Sequence, residues 1–158
     1  MTMTSIRAES YDVLSNISFI EEFNAKIKKL YADYNRAIAE NKYERAIEVG
    51  IGILKELLEV ARSHVISNLR SIEVRGIVED ILAHHEKNLG YVEGIEEAIS
   101  ELPPLYSYEM RERAITALSS SIQELFSFIL GALMVIVDIY SSSVNVRNSN
   151  NSDEMNFI

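Results

Sequence analysis

Apolar residues recur along most of this chain at intervals of three and four, the period that gathers side chains on one side of an α-helix. Ile20, Phe23, Ile27, Leu30, Tyr34 and Ala37 or Ile38 form the first stripe. Ser18 with Glu21 three positions later has the form of a capping box and is expected to start that helix, after a short leading helix over residues 6–15. Asn41 is expected to end it in a left-handed turn. Ile47, Gly50 or Ile51, Leu54, Leu57 or Leu58, Ala61, Val65 and Leu69 draw a second stripe to about residue 70, after which either Ser71, as the cap of a third helix with Glu73 in its first turn, or Gly76 marks the break. That helix carries Val74, Val78, Ile81, His85, Leu89, Val92, Ile95 and Ile99, with a kink expected at Gly90. The last stripe, Ala114, Leu118, Ile122, Leu125, Ile129, Leu133 and Ile136, follows the adjacent Pro103 and Pro104, starts at Ser107 or Tyr108 and ends near Tyr140.

No run alternates apolar with polar residues as a half-buried strand does, so the fold class is all-α. The simplest arrangement is an up-down four-helix bundle over residues 18–140. Residues 1–17 are expected to be a short helix or flexible, and the Ser- and Asn-rich residues 141–158 a disordered tail.

Composition narrows what such a chain can do. Of 158 residues, 47% are hydrophobic and 25% charged, which suits a folded domain with one sizeable core. The formal net charge of −9 argues against a protein that grips nucleic-acid phosphates. With no cysteine, a disulfide framework, a thiolate zinc site and a cysteine nucleophile are excluded. Residues 1–7 are polar and lack the apolar stretch of a secretory signal, so a cytoplasmic location is expected. Twenty isoleucines and a single glutamine suit a heat-adapted source and equally an AT-rich genome.

The last helix departs from the others because its middle is apolar on every side. Leu125 to Val137 is a run of thirteen residues interrupted only by Ser127 and Gly131, whereas a bilayer span needs about 20. A role in the membrane is therefore not expected. A helix apolar all round must be surrounded, and a homodimer seam over Leu125, Ser127, Ile129, Gly131, Ala132, Leu133 and Ile136 follows as the expectation. Small residues let two backbones approach closely, and Gly90 and Gly94 repeat the same spacing on the third helix. The competing reading is that these glycines accommodate bulky neighbours within one subunit.

Recognised catalytic patterns are absent. The chain has no Glu-x-x-His for a di-iron bundle, no Gly-x-Ser-x-Gly elbow and no phosphate-binding glycine loop. Acidic pairs such as Glu56 and Glu59 have the spacing of a solvated helix face. The lysines and arginines of the first helix, Lys26, Lys28, Lys29 and Arg36, are interleaved with acids in the same manner. Only the histidines form a constellation. If the second and third helices make an antiparallel hairpin, residues whose numbers sum to about 147 lie level. His64 then comes near His84, Asp80 and Arg62, a group that could hold a divalent metal or act as acid and base. His85 falls on the apolar stripe, where a hydrogen-bonded core histidine is expected instead.

The stretch Ala37-Ile-Ala-Glu-Asn-Lys-Tyr43-Glu-Arg-Ala46-Ile resembles the junction between helices in HEPN bundles and tetratricopeptide repeats, where an aromatic residue precedes an alanine by three. Nuclease members of the HEPN group resemble one another in an Arg followed four to six residues later by His. Here Arg62 stands two before His64 and Arg75 nine before His84, so the resemblance implies a binding or assembly role without nuclease activity. The leading expectation is a non-enzymatic homodimeric interaction module that needs no cofactor. The alternative is a HEPN-like or metal-dependent bundle that binds a nucleotide or RNA through His64 and His84.

Overall fold

The computed structural model describes the backbone of residues 2–156 and the side chains of residues 16–139 and 141. Four helices follow one another: α1 (Thr2–Ala39), α2 (Tyr43–Val60), α3 (Ile72–Ala98) and α4 (Pro104–Asn156). Among the described residues there is no strand.

Local chemistry accounts for the breaks. Asn41 has φ 58°, the left-handed conformation that short polar side chains tolerate, and α1 stops just before it. α2 ends in a π-helical turn, Ala61–Val65, and a 3₁₀ turn, Ile66–Asn68. Arg75 Nε then donates to the Leu69 carbonyl at 2.7 Å, and Ser71 Oγ accepts from the Val74 N–H at 3.3 Å, so Ser71 caps α3 as expected. A 3₁₀ turn, Ile99–Glu101, closes α3. Leu102 is extended, as a residue before proline must be, and Pro104 supplies the first residue of α4.

Helix replaces irregular chain at two places. α1 runs through Ser18 and Glu21 without a break, because residues 2–39 contain neither glycine nor proline to stop it. A capping box works only where the chain enters from outside the helix. α4 likewise continues through residues 141–156, where a disordered tail was expected; no Gly or Pro follows Gly131 on that helix. The side chains of residues 142–158 lie outside the described residues. α3 also passes Gly90 as one helix.

The chain divides into two compact units, residues 25–129 and residues 1–24 with 130–158. In the first, α1 and α4 are tied by Tyr34, fully buried, whose hydroxyl meets Ser119 Oγ at 2.8 Å and donates to the Ile115 carbonyl at 3.1 Å. Gln123 Nε2 donates to Tyr31 Oη at 2.7 Å beside it. Lys55 pairs with Glu93 at 3.7 Å, and Arg62 pairs with Glu86. Partner numbers fall on α3 as they rise on α2, so these helices run antiparallel, and each pair sums to 148, one from the expected register. Gly50 is the close-approach position: a Cβ there would stand 2.8 Å from Leu118 Cδ1 and 2.9 Å from Tyr34 Cε2.

Most expected core positions are buried. Along α4 all seven stripe residues from Ala114 to Ile136 are. On α3, Val74 is exposed instead and Leu82 is fully buried, which turns the inner face by about one residue near the start of the helix. In the second unit, Phe19 and Phe23 stack with ring centroids 6.0 Å apart, and Phe23, Leu133 and Ile136 are buried.

Candidate functional site

Burial sorts the side chains of α4 into an inner stripe and an outer face. Leu125, Ile129, Leu133 and Ile136, four of the residues expected at a dimer seam, belong to the chain's own core. Ser127 and Gly131 face outward, and Ala132 lies at the margin. The outer face is nevertheless apolar: Met134 is 58% exposed, Val135 56% and Ile139 63%. The most apolar eighteen-residue window of Pro104–Ile139 has a mean hydropathy of 2.0, yet only 28% of it is buried. By length and composition this is the one helix, among the described residues, long and apolar enough to cross a membrane.

Glycine positions sharpen the contrast between the two readings of small residues. A Cβ on Gly131, Gly90 or Gly94 would meet nothing within 4 Å. Among the described residues, then, no bulky neighbour requires these three glycines, although each weakens its helix by roughly 1 kcal/mol relative to alanine.

The histidines separate into different environments. His85 is buried, and its Nδ1 lies 3.1 Å from Ser121 Oγ. Asn88 Nδ2 donates to that same oxygen at 2.7 Å, and on the other side of the ring His85 Nε2 lies 4.0 Å from Glu124 Oε2. Burial, and next the neighbouring His84, push the His85 pKa down; Glu124 pulls weakly the other way. His84 is exposed and touches His85 ring edge to ring face at 5.2 Å. His64 lies on the π-helical turn with Nδ1 2.8 Å from its neighbour Ser63 Oγ. Asp80 is exposed on α3.

Among the described residues, no three His, Asp or Glu side chains come together in a group that could hold a metal ion. The hairpin register was read correctly, but His64, Asp80 and His84 do not form a ligand set. Arg62, expected beside them, is engaged with Glu86. What spacing did not reveal is Ser121: it sits among three serines, and only its contact with α3 distinguishes it.

An open groove of about 610 Å³ between α3 and α4 is lined by Asn88, Tyr91, Glu109, Glu112, Arg113 and Ser120. Its mixed charges suit water as well as any ligand. A second hollow of about 380 Å³ lies at the start of α2, where Lys42, Arg45 and Arg111 gather. These three cations are paired with Glu40, Glu48 and Glu44 respectively, which neutralises the cluster.

Comparison with protein-family models, curated proteins and solved structures finds no match. The resemblance at residues 37–47 is thus confined to a local junction, in which Ala46 is buried and Tyr43 meets Tyr108 edge to face at 6.2 Å.

Proposed function

We propose that this chain is a non-catalytic helical module that acts as a homodimer, its helices in up-down order and the outer face of α4 covered by a second copy. The observation that carries the reading is the exposure of Met134, Val135 and Ile139 around Gly131 on a helix whose inner stripe is already buried. An apolar helix face of this kind marks an interaction surface. Ser127 and Gly131 let a second backbone come close, which gives those unneeded small residues a use.

A second copy fits this face better than a bilayer does. The uncharged run from Leu125 to Val137 spans thirteen residues, about 20 Å of helix, against a hydrocarbon core of about 30 Å. Glu124 and Asp138 bound it, and a span would have to carry one of them into lipid.

Light scattering on the purified protein tests the reading. The wild type is expected to have the mass of a dimer, unchanged by a chelator, and Met134→Glu that of a monomer with the same circular dichroism. Met134 is the position to substitute, since Leu133 points into the core. A wild-type monomer would overturn the proposal, and flotation with phosphatidylcholine vesicles would assign the face to a membrane instead.

A further inference from the structure

α3 carries opposite charge at its two ends, both within the unit of residues 25–129. Around its start, the chain between Glu59 and Glu79 holds Arg62, Arg70 and Arg75 against a single acid, Glu73. Three apolar side chains face solvent there: Ile72 is 85% exposed, and Val74 and Ile77 are exposed with it. At the finish of α3 the sign reverses. Between Lys87 and Arg111 stand five glutamates and no lysine or arginine, and in the turn into α4 Leu105, 74% exposed, and Tyr106 face solvent. The two ends are separated by 27 residues of helix, about 40 Å.

Neither patch serves the subunit that carries it. Among the described residues, Arg70, Arg75, Glu96, Glu97, Glu101 and Glu109 form no ion pair. Glu96 and Glu97 stand in the last turn of α3, where the negative end of the helix dipole disfavours acids, and no basic residue accompanies them in that turn. Helix stability therefore does not account for glutamates at that end.

From this complementarity we infer that copies of this chain associate end to end, the basic, apolar start of α3 in one copy seated on the acidic, apolar finish of α3 in the next. Arg70 and Arg75 then meet Glu97 and Glu101, and Ile72 and Ile77 cover Leu105 and Tyr106. The dipoles of successive α3 helices also meet positive end to negative end. A second copy fits the basic end better than an anionic membrane does. The chain's own surface supplies both the counter-charge and the apolar partner, whereas a membrane of that charge would repel a chain of net charge −9. The contact is heterologous and leaves one end open on each outer copy, so association does not stop at two. It uses none of the α4 outer face and stands independently of the pairing proposed there.

Light scattering over a concentration series tests the inference in the wild type and in Met134→Glu, whose α4 face is blocked. In about 20 mM salt the mean mass of both is expected to rise with concentration, that of Met134→Glu past two copies. In about 0.5 M salt, where exposed charges are screened, the rise is expected to vanish. Arg70→Glu should abolish it in low salt, and so should Glu97→Lys combined with Glu101→Lys. The lysines match the dipole of α3 better than the glutamates do, so this variant keeps its helix, which circular dichroism checks. A mixture of the two variants is expected to associate where neither does alone, because each keeps the end that the other has lost. A mass independent of concentration in low salt, or a rise that either variant leaves unchanged, would overturn the inference. A constant mass together with flotation on phosphatidylglycerol vesicles that Arg70→Glu abolishes would overturn it and assign the basic end to an anionic membrane.

Discussion

At the scale of single residues, the buried positions Gly50, Tyr34 and His85 mark where α1, α2, α3 and α4 meet between residues 25 and 129. Gly50 admits Leu118 and the Tyr34 ring to distances that no Cβ would allow. Gly50→Ala is expected to destabilise the protein by about 1–3 kcal/mol, despite the better helix propensity of alanine, because both neighbours are fully buried and cannot give way. Denaturant titration measures this. His85 gives a pH dependence whose sign follows from its lowered pKa: the folded state binds the proton less well than the unfolded state. Its contribution is complete above about pH 6.5, the usual histidine value, and is lost as pH falls below it. His85→Gln should therefore flatten the stability difference between pH 7.5 and pH 5.5 relative to wild type; an unaltered slope would assign the acid sensitivity to the carboxylates. The burial of His85 was legible in the apolar stripe. Its partner Ser121 was not, because a hydroxyl among serines carries no period.

At the scale of elements, the chain marks its helix ends unevenly. Asn41, Ser71 and the Pro103–Pro104 pair act through local backbone geometry and could be read directly. Ser71→Ala should cost about 1 kcal/mol by removing the acceptor for the Val74 N–H, and a thermal melt several degrees below that of wild type is the expected result. Ser18 and Glu21 have the same chemistry and cap nothing, since α1 already contains them in its interior. A cap signal states what a terminus would look like and leaves open whether the helix is longer. The end of α2 through a π-helical turn had no sequence signal; there the apolar period simply continues to Val65.

At the scale of the whole molecule, the outward apolar face of α4 governs what the protein is proposed to do. Its prediction is a mass: a dimer that Met134→Glu dissociates. The sequence by itself determined the all-α class, the inner stripe of α4 and the register of the α2–α3 hairpin. Those features follow from helical period and short connections, which act within or between neighbouring segments. Only the tertiary structure decided that Leu125, Ile129, Leu133 and Ile136 belong to the core while Gly131, Met134 and Val135 do not. A helix apolar all round has no period to say which side its own chain covers, and that choice rests on the other helices. Likewise, only three-dimensional contact withheld a metal set from His64, Asp80 and His84. Level positions on two helices fix height along the axes, and ligation further requires that the side chains point to one another.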